Sequence, residues 1–146
     1  TSIEEVIRLN LARLGSDGNR EADLKVVLEN SLIPVGRDWL MTLVGEILEN
    51  AFQFTQPGIP IHIEGKKDNG FYRLKVTDFG DGMSAQEIRQ IQPFRQFRSK
   101  AEGHKGLGLG LMIARRICEN YGIRMSLGRV KSEDPFSVEL EFPLGS

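Results

Sequence analysis

The sequence predicts an α+β fold, a two-layer sandwich in which a mixed, mostly antiparallel sheet is covered on one face by helices. Three observations lead there. Two segments near the start place apolar residues at helical spacing, and a third helix-like run follows a glycine-rich stretch. Between and after them lie strand-like runs that pair as hairpins through short polar turns. The helices are therefore segregated from a sheet built largely of adjacent antiparallel strands.

The elements follow in order. Ile3, Val6, Ile7, Leu11 and Leu14 give an amphipathic helix over 3–14, ended by a loop at Gly15-Ser16-Asp17-Gly18-Asn19. Leu24 to Leu28 and Ile33 to Val35 read as short strands. The longest helix runs from about Trp39 to Thr55, with Leu40, Leu43, Val44, Ile47, Ala51 and Phe54 towards the core, and Gln56-Pro57-Gly58 stops it. Ile59 to Glu64 and Phe71 to Thr77 form a hairpin across the polar turn Lys66 to Gly70. Ser84 to Ile91 suits a short helix, and the polar, basic segment that completes 84–105 has the character of a lid. A helix over Leu107 to Tyr121 stops at Gly122, a left-handed cap. Ile123 to Val130 and Phe136 to Phe142 close the sheet.

Composition narrows the function. With 146 residues the chain can bury its own core, and residues 1–144 are expected to form one domain, Gly145-Ser146 being a tail outside it. A net charge of −1 gives no global case for nucleic acid or an anionic membrane. No apolar run approaches the ~20 residues of a membrane span. The single cysteine, Cys118, excludes an internal disulfide and sits in an apolar helical pattern as a packing residue. His62 and His104 have no cysteine or histidine near them, which argues against zinc.

Three motifs carry chemistry. In the first, Gly106-Leu107-Gly108-Leu109-Gly110-Leu111 runs into a helix, whose first turn offers unpaired N–H groups to an anion such as phosphate. The leucines are expected to anchor this loop in the core. In the second, Asp78-Phe79-Gly80-Asp81-Gly82-Met83 follows a strand directly; a carboxylate there can accept a hydrogen bond from an amino group, and the glycines let the backbone turn beside a flat base. In the third, Glu46, Asn50 and Gln53 share one face of the long helix, and an Asn oxygen is a suitable hard ligand for Mg²⁺. Taken singly, each has an ordinary competitor: a tight loop, an Asp-Gly turn, the polar face of an amphipathic helix.

Together, in this order and spacing, they resemble the ATP-binding catalytic domain of sensor histidine kinases, of the ATPase superfamily shared with gyrase, the heat-shock chaperones and the mismatch-repair ATPases. Glu46 to Thr55 resembles the N box, Asp78 to Met83 the G1 box, Phe94-Arg95-Gln96-Phe97 the F box and Gly106 to Leu111 the G2 box. The resemblance covers nearly the whole chain and implies a Bergerat-type ATP-binding fold. It implies that Asn50 ligates Mg²⁺, that Asp78 binds the adenine amine, and that Phe54, Gly80, Gly82 and Met83 shape the base pocket. Phe94 and Phe97 would hold the lid. Gly106, Leu107, Gly108, Leu109 and Gly110 would wrap the phosphates, with Gln53 donating where the family places a basic residue.

Lys105 is either a phosphate contact or a solvated loop lysine, and Glu46 either a general base or part of the metal shell. Phe79 stands where the family usually has Asn, which removes a polar group near the nucleotide. The resemblance implies a cytoplasmic histidine kinase domain using ATP and Mg²⁺, its parent membrane-anchored or not. Its partners would be a histidine-bearing dimerisation domain and a response-regulator receiver domain. An ATP hydrolase, a protein-serine kinase of the same superfamily and a non-catalytic docking module are the alternatives.

Overall fold

A computed structural model describes residues 1–80, 109–129, 131 and 133–145. The sequence expectations for Asp81, Gly82, Met83, the 84–105 segment with Phe94, Phe97, His104 and Lys105, and Gly106, Leu107 and Gly108 lie outside these residues. Three helices are seen: α1 (Ile3–Gly18), α2 (Arg37–Gln53) and α3 (Leu109–Tyr121). The strands are β1 (Leu24–Leu28), β2 (Ile61–Asp68), β3 (Phe71–Asp78), β4 (Arg124–Gly128) and β5 (Phe136–Pro143). They form one sheet in the order β1-β2-β3-β5-β4, parallel only between β1 and β2.

Period-two alternation sorts the sheet residues. Ile61, Ile63, Tyr72, Leu74, Val76, Phe136, Val138, Leu140 and Phe142 all face the helices and are buried. They meet Ile3, Val6 and Ile7 of α1, the Leu40–Ala51 stripe of α2, and Leu111, Ala114, Ile117 and Cys118 of α3 in one continuous core. The opposite face carries Glu64, Lys75 and Glu139 in one cross-strand row and Lys66, Arg73, Glu141 and Arg124 in the next. Arg73 alone touches Asp68, Glu139 and Glu141 at 3.3, 3.1 and 3.1 Å. This face neutralises itself, and each of these partly exposed pairs is worth about 1 kcal/mol or less.

Several boundaries differ from the sequence reading. Helix α1 continues past Gly15 to Gly18 because the left-handed residue is Asn19 (φ 55°), and Arg20 N–H closes the helix end on the Gly15 carbonyl at 2.8 Å. Gly122 (φ 68°) does cap α3 in the same way, with Ile123 N–H on the Cys118 carbonyl. Ile33 to Val35 is not a strand. Its chain neighbour Leu32 makes a single antiparallel bridge to Ser2, and Ile33 N–H donates to the Thr1 carbonyl at 2.8 Å, so the segment pairs with the residues before α1 instead of the sheet. The β2–β3 turn is only Asn69-Gly70, both at positive φ, so Lys66 to Asp68 belong to β2.

The Tyr72 ring passes beneath Gly65 on β2, where any side chain would strike its hydroxyl. That hydroxyl donates to the Glu29 carbonyl at 2.7 Å, tying the end of β1 to the sheet. Burial, reinforced by Glu29 and Glu4, pushes the phenol up to about 12 from 10.0. The folded value lies above the unfolded one, so the neutral phenol's contribution is complete below pH 10 and is lost as pH rises towards 12. Urea unfolding of the wild type should therefore weaken across that window. Tyr72→Phe should start about 1 kcal/mol less stable but show a flatter slope; equal slopes would contradict the assignment.

Candidate functional site

The polar face of α2 is where the sequence motifs converge. Asn50 is buried, at 5% exposure, because Leu43, Val44, Ile47, Leu48 and Ala51 sink this side of α2 into the core. Its side-chain nitrogen has no hydrogen-bond partner among the described residues. An Asn amide can be turned over without changing its shape, so an unmet donor at this position also marks where an acceptor oxygen could be presented. An unpartnered buried amide is unfavourable by about 1–3 kcal/mol.

A cleft of about 310 Å³ opens beside Asn50, lined by Glu46, Glu49, Gln53, Leu109, Gly110 and Ile113 as well. It lies between α2 and the first turn of α3. The structure thus brings Glu46, Asn50 and Gln53 together with the end of the glycine-rich motif. Gly110 sits against Glu46 so closely that a methyl group there would strike the carboxylate. Burial raises the Glu46 pKa above the usual carboxylate value, the neighbouring Glu49 adds to the rise, and Arg13 opposes it. The leucines of the motif divide: Leu111 is buried, but Leu109 is 45% exposed and lines the cleft rather than the core. Helical geometry explains this, since residues two apart lie on opposed sides of a helix.

Asp78 ends β3, paired across the sheet with Ile61 and Phe136, and only 2% of it is exposed. Its carboxylate accepts the Gly80 N–H at 3.2 Å, turning the chain immediately after the strand. Gly80 packs on the Phe54 carbonyl and the Thr55 methyl, leaving no room for a side chain. Phe54 follows α2 directly, and its N–H returns to the Asn50 carbonyl at 3.1 Å. Asn50, Phe54, Gly80 and Asp78 are therefore one connected wall. Asp78 does not line the 310 Å³ cleft itself; the α2 end joins the two.

Phe79 does not face this wall. Strand alternation turns it to the helix-free side, where its ring meets His62 edge-on at 4.7 Å between centroids. The Phe79 side chain therefore stands on the other side of the sheet from the Asp78 carboxylate. Sequence reasoning also missed Arg20. It is buried and donates to Asp23, to the carbonyl of Phe52 in the last turn of α2, and to those of Thr55 and Ile59 in the segment that follows. No motif contains it; only its helix-end position, after a loop-forming Asn, was visible. Two larger clefts, about 520 and 350 Å³, lie on the open sheet face among its paired acids and bases.

Comparison with known proteins accords with this geometry. Residues 36–146 match the family described as histidine kinase-, DNA gyrase B- and HSP90-like ATPase. The chain is 30% identical over 153 residues to the sensor protein kinase PmrB of Pseudomonas aeruginosa, covering 97% of this chain and 31% of that protein. It is 30% identical over 136 residues to the signal transduction histidine-protein kinase BaeS of Escherichia coli, covering 86% and 27%. The chain thus spans about a third of these relatives or less. Its fold superimposes on the mycobacterial sensor histidine kinase MprB with a TM-score of 0.77 at 22% identity, covering 98% of this chain and 95% of that one. The chain belongs to the histidine kinase-, DNA gyrase B- and HSP90-like ATPase family.

The Gly80 contact makes a prediction independent of ligand. Gly80→Ala must push the turn off the Phe54 backbone, so it should destabilise the domain by about 2 kcal/mol, read as a lower urea midpoint with an unchanged slope. A variant as stable as the wild type would show that this wall yields freely.

Proposed function

We propose that this chain is the Mg²⁺-ATP-binding catalytic domain of a two-component sensor histidine kinase, passing the γ-phosphoryl group of ATP to a histidine on a separate dimerisation domain. The observation that carries this reading is the buried Asn50, its amide nitrogen without a partner among the described residues, in a cleft shared with Glu46 and the Gly110 turn of α3. The site suits a metal held chiefly by phosphate and water. Among the described residues no three His, Cys, Asp or Glu side chains gather, and Mg²⁺ bridging phosphates needs few protein oxygens. Asn50 would hold it, and when bound it would neutralise phosphate charge.

The residues then divide the work. Asp78, fixed by Gly80 N–H, accepts a hydrogen bond from the adenine amine, while Phe54 and Gly80 bound the base. The first turn of α3, with Gly110, directs backbone N–H groups at the phosphates. Gln53 donates from the cleft edge, more weakly than a basic residue would. Gly82, Met83, Phe94, Phe97, Lys105, Gly106, Leu107, Gly108 and Leu109 keep the roles that the family resemblance implies. In transfer, an imidazole nitrogen of the partner attacks the γ-phosphorus. A P–N bond forms, the bridging P–O bond breaks, ADP leaves and the imidazole gives up a proton. Positioning and charge neutralisation supply most of the rate. Glu46, its pKa raised by burial, is placed in the cleft to take that proton or to order the metal's waters.

A response-regulator receiver domain would be the next acceptor, and the domain would work in the cytoplasm. No described helix is long and apolar enough to cross a membrane. Glu46 in the cleft also favours a second reading, an ATP hydrolase of the same family, in which the base activates water; a serine kinase is the remaining relative to exclude by phosphoamino-acid analysis.

Calorimetric titration with a non-hydrolysable ATP analogue, with and without Mg²⁺, tests the reading. Wild type should bind in the micromolar range with Mg²⁺, and Asp78→Asn should weaken binding at least about tenfold. No binding by the wild type would remove the kinase reading in favour of a docking module. With the histidine partner supplied in trans, Glu46→Gln should bind the analogue normally while slowing transfer by about a hundredfold or more. Unchanged transfer would leave Glu46 with no role as a base.

A further inference from the structure

Arg20 is a charged side chain at 5% exposure, in a part of the chain that precedes the 36–146 family match. All of its polar contacts go to one place. Its Nε donates to Asp23 at 2.9 Å, Nη1 to the carbonyls of Thr55 at 3.2 Å and Phe52 at 3.4 Å, and Nη2 to the carbonyl of Ile59 at 3.0 Å. The guanidinium also lies over the Phe52 ring, 5.1 Å from its centroid. Asp23 completes the clamp by accepting the Gly58 N–H at 3.0 Å. That bond first, and Arg20 second, holds the Asp23 carboxyl below the usual range.

The clamped segment is the wall of the site. Residues 52–59 carry the last carbonyls of α2, which a helix end leaves unmet, and Phe54 and Thr55, on which Gly80 packs. The backbone of Arg20 is itself pinned by the α1 cap, through its N–H on the Gly15 carbonyl. The clamp therefore runs from α1, through a rigid planar fork, into the turn that presents Asp78. A lysine could not reproduce it, because an ammonium group cannot span carbonyls on both sides of one plane.

We propose that Arg20 is a positioning residue for nucleotide binding: together with Asp23 it fixes the 52–59 segment so that the Asp78–Gly80 turn is ready-formed for the purine. This rests on the nucleotide reading above. It acts on the base end of the site and leaves the Asn50 end untouched.

The test uses Arg20→Lys and Asp23→Asn, each melted and titrated with the non-hydrolysable ATP analogue and with inorganic tripolyphosphate, both in Mg²⁺. The expected result is roughly tenfold weaker binding of the nucleotide, as pre-organisation is lost, with tripolyphosphate binding unchanged. Asp23→Asn keeps the arginine and decides the matter if Arg20→Lys fails to fold. Lower melting temperatures with nucleotide affinity unchanged would make the clamp structural only and overturn the proposal. Equal weakening for both ligands would also overturn it, since the effect would not be confined to the base. A wild type that binds neither ligand would instead defeat the nucleotide reading itself.

Discussion

The constraint on which the rest of the molecule depends is that α2 must serve two environments along one side. Its apolar stripe supplies the centre of the core, and the same burial carries Asn50 under the surface. Burying an amide without a partner opposes folding, so the helix tolerates it only because Leu40, Leu43, Val44, Ile47 and Leu48, all essentially inaccessible, bury far more apolar area around it. The unmet amide is then a fixed feature of the fold, not a side chain free to turn to solvent. That distinguishes Asn50 from Gln53, one turn later and exposed, which can satisfy itself with water.

Charge is managed differently on the two faces of the sheet. On the open face, acids and bases alternate across strands and neutralise one another, Arg73 with three carboxylates being the centre of the network. On the helix face, the buried polar groups among the described residues include Asn10, Arg20 and Thr55 as well as Asn50 beside the α2–α3 cleft and Asp78 at the end of β3. Burial first and the like charge of Glu49 second raise the Glu46 pKa there, and Arg13 opposes them. A strongly paired surface has little free energy left for a ligand, whereas an unpaired amide and a desolvated carboxylate do. The 310 Å³ cleft holds both such groups, Asn50 and Glu46, while the larger trough opposite is lined by Arg73 and its carboxylate partner Glu139.

Much of this was legible in the sequence where a local rule acted alone. Helical spacing located α1 and the core stripe of α2, and alternation located β2, β3 and β5. The position of Asn50 and Glu46 on one helix face followed from i, i+4 geometry. What failed did so where a distant partner intervened. Ile33 and Val35 alternate as a strand would, but their backbone is taken by the residues before α1. Gly15 looked like a stop, yet Asn19 made the better left-handed residue once Arg20 had a reason to be held inside. Leu109 was expected in the core because leucine usually is; helix phase put it at the cleft. Arg20 was invisible because its four acceptors lie 3 to 39 residues away in sequence and share no motif with it.

Phe79 shows how alternation separates neighbouring residues at a strand end. Asp78 and Phe79 are adjacent, but successive residues at a strand end point to opposite faces. The carboxylate turns towards the helices and is buried; the ring turns away, onto His62. Phe79 N–H also donates to the Pro60 carbonyl at 3.3 Å, so the backbone that carries Asp78 is held from both sides. An aromatic residue there adds a ring contact on the open face and takes no volume from the wall formed by Phe54 and Gly80. Gln53, by contrast, does line the cleft between α2 and α3. Of these two positions, Gln53 therefore lies within the cleft, whereas Phe79 lies on the opposite face of the sheet against His62.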